Sequence, residues 1–153
     1  MADDTNPCGS CTLCCKIMGI EAPDGSVKPP GYWCEHCQPG QGCKVHADRP
    51  EVCRAFQCWW LRAQGADPQT LDPQQRRLAG NSDLRPDRAK LMMVASQDKH
   101  LHVHADPAFA EAWRSRRVNS FLERVVAGGT TVVVVIDQRP RFHWAPGRAP
   151  VAL

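Results

Sequence analysis

Residues 8–58 carry three cysteine-rich runs: C-G-S-C-T-L-C-C from Cys8, C-E-H-C-Q-P-G-Q-G-C-K-V-H from Cys34, and C-R-A-F-Q-C from Cys53. All nine cysteines of the 153-residue chain lie in this stretch, and none follows Cys58. Cysteines this dense form disulfides, bind metal or carry out thiol chemistry. The adjacent pair Cys14 and Cys15 and the repeated C-x2-C spacing favour metal ligands over disulfide bridges.

The N-terminus indicates a reducing compartment. Its first residues, MADDTNPCGSC, have neither the basic segment nor the apolar segment of a secretory signal. The longest apolar runs, such as residues 132–136, are as long as a strand and far shorter than the ~18 residues of a membrane-spanning helix. We therefore expect a cytoplasmic protein with no membrane partner, in which thiols stay reduced and disulfides are disfavoured.

Length and charge restrict the other functions. The chain is long enough for one domain with a modest core, and we predict a single domain over residues 1–153. Within it, residues 1–62 form the cysteine-rich region and residues 63–153 form a scaffold. The net charge of +3 is too small and too scattered to indicate nucleic-acid binding.

The spacing predicts metal ligands throughout the cysteine-rich region. On a helical wheel, the first four cysteines fall on one stripe, after a plausible helix start at Asn6 and Pro7. The alternative, a stripe of cysteines buried as small apolar residues, fits poorly because their neighbours are mostly polar. Cys34 and Cys37 have the spacing of a zinc knuckle. Lys and Arg residues in the same stretch could offset thiolate charge, or could be ordinary surface cations. The predicted ligands are Cys8, Cys11, Cys14, Cys15, Cys34, Cys37, Cys43, Cys53 and Cys58.

Residue type alone does not select the metal. Thiolates suit zinc, iron–sulfur clusters and Cu(I), which we rank in that order. The opening C-x2-C-x2-C matches the start of bacterial ferredoxin cluster motifs, but the match ends at Cys15. Two four-thiolate zinc sites, a sulfur-bridged cluster and one 4Fe–4S cluster with spare thiols all remain open.

Two motifs resemble those of a known family. The opening C8-x2-C11-x2-C14-C15 and the segment G42-C43-K44-V45-H46-x2-R49-P50-x2-C53-R54-x-F56-x-C58 resemble the YkgJ-type proteins, a CxxCxxCC family described as zinc- or iron-chelating. The resemblance implies metal binding by the cysteines. The position of His46 is often aromatic in that family and Cys37 is less general, so it implies lesser roles for both. A flagellin lysine-N-methylase is similar in this region, which implies an alternative function as an iron–sulfur redox or methyl-transfer enzyme.

The second part of the chain predicts an α+β scaffold. Short helices are expected at residues 56–64 and 72–77, and strands at residues 90–95 and 101–105. A long helix begins at Asp106 and Pro107 and runs to about Ala127, followed by strands at 132–136 and 141–144. The predicted fold is a loop-rich cysteine cluster on a small antiparallel β-β-α-β-β sheet with one main helix.

His100, His102 and His104 alternate along one predicted strand and so share a face. They could form a second metal site, although a solvated strand face explains the same pattern and is the interpretation we favour. No phosphate-binding glycine loop and no activated-serine motif is visible. The sequence therefore favours a metal-binding protein over an enzyme.

Overall fold

The computed structural model describes residues 11–21, 25–44, 46–48 and 51–153, apart from the side chains of His46 and Arg54. The predicted ligand Cys8 and the predicted helix start at Asn6 and Pro7 lie outside the described residues, so the structure does not bear on them.

The cysteine-rich region consists of very short elements joined by turns. Helix α1 carries the Cys14–Cys15 pair, and two small antiparallel hairpins follow it. Helix α3 begins later than predicted, because Cys58 is its extended N-cap residue. The elements are α1 (Leu13–Ile17), β1 (Ile20–Glu21), β2 (Val27–Lys28), β3 (Cys37–Gln38), β4 (Gly42–Cys43), a 3-10 turn (His46–Asp48), α2 (Glu51–Ala55) and α3 (Trp59–Ala63).

A run of tight turns connects this region to the main sheet. Where the sequence predicted a helix over residues 72–77, the chain forms a 3-10 helix slightly further on. The elements here are 3-10 helices at Pro68–Thr70, Gln75–Leu78 and Ser82–Leu84, followed by α4 (Pro86–Ala89).

The main sheet has five strands in sequence order: β5 (Leu91–Ala95), β6 (Leu101–Ala105), β7 (Val132–Ile136), β8 (Arg139–Trp144) and β9 (Val151–Ala152). Strands β6 and β7 are parallel, with Val103 paired with Val134, and the other neighbours are antiparallel. The mixed α+β class was thus predicted, whereas the purely antiparallel sheet was wrong. The reason is the connection: a helix that crosses over the sheet returns the chain in the same direction. Strand β9 was not predicted.

The crossover itself is a broken helix. The sequence predicted one helix from Asp106 to about Ala127, but two 3-10 turns, Pro107–Phe109 and Ala112–Arg114, precede α5 (Arg116–Ala127). Ser115 is extended, with a ψ of 146°, which separates these turns from α5. The apolar face of α5 packs on the sheet through Val118, Phe121, Leu122, Val125 and Val126.

One apolar core joins the two parts of the chain. Leu13 and Ile17 of α1 are buried in the same cluster as Leu101, Val103 and Val134 of the sheet. A bidentate ion pair adds to this packing, since Lys16 Nζ donates to both carboxylate oxygens of Asp106, at 2.9 and 3.0 Å. Among the described residues, no helix is long and apolar enough to cross a bilayer. The core thus fixes α1, and with it Cys14 and Cys15, against the sheet.

Candidate metal centre

Helix α1 presents its cysteines beside an anchored apolar edge. Leu13 and Ile17 are four residues apart and therefore share the buried face, which holds the helix against the core. Cys14 and Cys15 lie between them and are only partly buried. The thiols are thus fixed in position by a helix whose other face is committed to packing.

Backbone hydrogen bonds bring the second cysteine run against this helix. The N–H of Cys34 donates to the carbonyl oxygen of Cys15 at 3.0 Å, and the N–H of Cys37 donates to the carbonyl oxygen of Cys34 at 3.0 Å. The N–H of Gly40 donates to Thr12 Oγ1, also at 3.0 Å. Gly40 has a φ of +75°, a conformation that glycine adopts without strain. The β3–β4 turn is therefore tied to the start of α1.

These contacts form a group of sulfurs around Cys15. The thiol of Cys15 is in hydrogen-bond contact with the thiols of both Cys14 and Cys37. The contact with Cys14, followed by burial, raises the pKa of Cys15. Burial first, and then the neighbouring Cys15, raises the pKa of Cys37 to about 12. We call Cys14, Cys15, Cys34 and Cys37 the Cys15 group; Cys43 is the register partner of Cys37 on β4.

Lys28 is a cation near this group, although no motif in the sequence singles it out. Its Nζ donates to the carbonyl oxygens of Lys16, at 2.9 Å, and Tyr32, at 2.6 Å. Burial lowers the pKa of Lys28, and the thiols that oppose this shift belong to Cys34, Cys15, Cys14 and Cys53. An ammonium in this position would offset the negative charge that thiolates acquire.

Cys11 and Cys58 form a second pair. Cys58 is buried, and its Sγ accepts from the N–H of Leu61 at 3.4 Å, as the N-cap of α3. Burial raises the pKa of Cys58 to about 11, and the nearby thiol of Cys11 contributes to the shift. Burial also raises the pKa of Cys11, which lies beside the backbone of Leu13 and Asp87. The pair therefore joins the beginnings of α1, α3 and α4.

The predicted ligands are brought together only in part. Eight of the nine cysteines are described, and none of these eight forms a disulfide bond. Four form the Cys15 group, with Cys43 opposite Cys37 and Cys53 beside Lys28, and two form the Cys11–Cys58 pair. Within the part of the chain that the structure describes, no three cysteine sulfurs lie within 4.8 Å of one another. The side chain of His46 is not described, so its role stays a prediction.

Three side chains outside the cysteine-rich region have their possible ligand atoms close enough together to bind one metal ion. Ligand atoms of Asp98, His100 and His102 all lie within 4.8 Å of one another. The sequence predicted a possible site from His100, His102 and His104, but the third member is the turn carboxylate. His104 lies next to His102, with ring centroids 6.4 Å apart, and its pKa is lowered mainly by burial. The sequence did not predict Asp98 as a ligand, because proximity across a turn is not visible in strand alternation.

Comparison with family models, curated proteins and solved structures finds no match for this chain.

Proposed function

We propose that this chain is a metal-binding cysteine-cluster protein, with thiolate ligands drawn from residues 8–58. The observation that carries the proposal is the position of Cys15, whose thiol contacts two other thiols while its carbonyl oxygen holds Cys34. Deprotonating several neighbouring thiols is unfavourable in the absence of a cation, because the resulting thiolates repel one another. A bound cation removes that cost.

The charge around the Cys15 group supports the same proposal. Four thiolates on one Zn²⁺ carry a net charge of −2, and Lys28 lies beside Cys14, Cys15, Cys34 and Cys53. Sulfurs bound to one tetrahedral zinc are about 3.8 Å apart, given Zn–S bonds of about 2.3 Å. No three of the described cysteine sulfurs lie within 4.8 Å of one another, so metal binding would draw a set of ligands together and order the surrounding turns.

Zinc is the metal we propose first, followed by an iron–sulfur cluster and Cu(I), since thiolates suit all three. Membership of the YkgJ-type family is part of the same proposal and depends on the two quoted motifs. A cytoplasmic location follows from the same reasoning, because thiol ligands need a reducing compartment.

Metal analysis of protein purified without oxygen tests the proposal. We expect stoichiometric zinc or iron in the wild type and a lower metal content in Cys15→Ser. His46→Phe is the matched control, and we expect it to keep the wild-type stoichiometry. A wild-type protein that neither contains metal nor takes it up from solution would refute the proposal.

The visible spectrum of the same samples separates the metals. Zinc-thiolate sites are colourless, whereas an iron–sulfur cluster gives a brown protein with broad visible absorbance. If that spectrum changed on adding S-adenosylmethionine, an open coordination position would be present and the methyl-transfer alternative would replace the non-enzymatic one.

A further inference from the structure

The turn between β5 and β6 holds a carboxylate against two imidazoles. Oδ2 of Asp98 lies 3.0 Å from Nε2 of His102 and 3.4 Å from Nδ1 of His100. These three residues come from one turn and the start of one strand, so their spacing is fixed locally. Ser96 and His100 close the turn through the N–H of Ser96, which donates to the carbonyl oxygen of His100 at 3.1 Å.

The carboxylate is held in position by its other oxygen. Oδ1 of Asp98 accepts from the backbone N–H of His100 at 2.8 Å. An aspartate that only closed a turn would need no more than this bond. Here the bond also directs Oδ2 between the two rings, as hydrogen bonds to a ligating carboxylate do in metal sites.

The separations match those between ligands of one ion. Nitrogen and oxygen ligands bind Zn²⁺ at about 2.0–2.1 Å, which places tetrahedral ligands about 3.3 Å apart. The two Asp98 distances, 3.0 and 3.4 Å, lie on either side of that value. An ion could therefore replace the Asp98–imidazole hydrogen bonds with small movements of the side chains.

The exposure of the group leaves room for further ligands. The side chains of Asp98, His100 and His102 are 46%, 36% and 24% exposed. The ring of His143 on β8 lies edge-on to His100, with centroids 6.0 Å apart. Water or this fourth imidazole can complete the coordination.

We propose that Asp98, His100 and His102 form a second metal site, which binds a divalent transition metal such as Ni²⁺, Zn²⁺ or Cu²⁺. Two neutral imidazoles and one carboxylate suit these borderline ions, whereas Mg²⁺ and Ca²⁺ prefer sites made of oxygen alone. This donor set contains no sulfur, so the site is chemically distinct from the cysteine cluster and does not depend on it.

Titration of the full chain with Ni²⁺, followed residue by residue by NMR, tests the proposal. Bound Ni²⁺ broadens nearby signals, so we expect selective broadening around residues 98–102. Any binding by thiols would broaden a separate set of signals, because the cysteines lie on other elements. Site-resolved signals thus separate failure of this proposal from failure of the cysteine-cluster proposal.

Two variants and one control complete the experiment. We expect His102→Ala and Asp98→Asn each to weaken Ni²⁺ binding at this site at least tenfold, while Asp98→Asn can still accept the His100 N–H bond and keep the turn. His36→Ala is the control, since His36 contacts only the exposed Glu35, at 3.4 Å, among the described ion pairs. The proposal is overturned if Asp98→Asn, folded by its NMR spectrum, binds Ni²⁺ as the wild type does, or if broadening is absent from residues 98–102.

Discussion

Replacing Lys16 by methionine should weaken the attachment of the cysteine region to the sheet and lower the free energy of unfolding. Lys16 follows Cys15 on α1, and its ammonium pairs with Asp106, which is 90 residues further along the chain. The side chain of Asp106 is only 5% exposed and that of Lys16 19% exposed. Methionine keeps the aliphatic chain but leaves a buried carboxylate without its cation.

The expected cost follows from this burial. Removing one partner of a buried ion pair destabilises by 3–5 kcal/mol, and the partial exposure of Lys16 favours the lower end, about 3 kcal/mol. For a chain of this size that corresponds to a fall in Tm of roughly 6–12 °C. Urea unfolding of the wild type and of Lys16→Met measures the difference directly.

The double variant Lys16→Met/Asp106→Asn is the matched control. Asparagine can still accept the N–H of Ala108, which Asp106 Oδ1 accepts at 3.0 Å, so the cap of the following turn is kept. With neither charge present, we expect most of the lost stability to return, to within about 1 kcal/mol of the wild type. The reasoning is refuted if Lys16→Met unfolds at the wild-type urea concentration, or if the double variant is no more stable than the single one.

Three further predictions concern the cysteine cluster. The pKa of Cys58 is raised to about 11 and that of Cys37 to about 12, so these thiols are protonated near neutral pH and must each release a proton to bind metal. Zinc affinity should therefore rise between about pH 6 and pH 9, by up to about tenfold per pH unit for each proton released. Competition with a chelator measures the affinity at each pH, and an affinity that does not change with pH would contradict this prediction. Lys28→Met should weaken zinc binding by about tenfold, or 1.4 kcal/mol, because it removes the cation beside the thiolates. Lys44→Met, at an exposed position, should leave the affinity unchanged, and equal effects of the two variants would show that Lys28 has no special role. Removal of metal by a chelator should accelerate amide hydrogen exchange in residues 11–44 while β5 and β7 stay protected; faster exchange spread evenly over the chain would count against a local metal-dependent region.

The strands of the main sheet could be predicted because their patterns are local. Val132–Ile136 is continuously apolar, as a strand buried on both faces requires, and Leu101–Ala105 alternates between buried and half-exposed residues. The start of β8 was predicted two residues too late, at residue 141 instead of Arg139. Asp137 and Gln138 both adopt positive φ, so a tight turn forms there without the glycine that usually signals it.

The features that required tertiary structure were missed. The 3-10 turn before α5 contains the buried Trp113, whose ring centroid lies 4.8 Å from that of Phe142 on β8. Lys28 is one of six lysine or arginine residues in the cysteine region, and nothing near it in sequence marks it as the cation of the Cys15 group. The pairing of Lys16 with Asp106 likewise joins residues too distant for any local pattern to reveal.

Cysteine density and spacing predicted candidate ligands but not their grouping. Helical periodicity placed the first four cysteines on one stripe, yet Cys11 lies by Cys58 while Cys15 lies by Cys37. The division arises because Cys11 precedes α1, whose helical turns begin only at Leu13. A wheel drawn through both positions assumes a continuous helix that the chain does not form.

The capping role of Cys58 gives the protein an optical reporter. The sulfur of Cys58 is a proposed metal ligand and also caps the N-terminus of α3. The next two residues, Trp59 and Trp60, have buried indole rings. Trp60 donates its indole N–H to the carbonyl oxygen of Asn81 at 2.8 Å, and Trp59 lies edge-on to Phe121 of α5. Converting the Cys58 thiol to a metal-bound thiolate changes the electrostatic field at the first turn of α3, where both indole rings lie. Intrinsic tryptophan emission should therefore follow metal occupancy in the native chain, with no added dye or label.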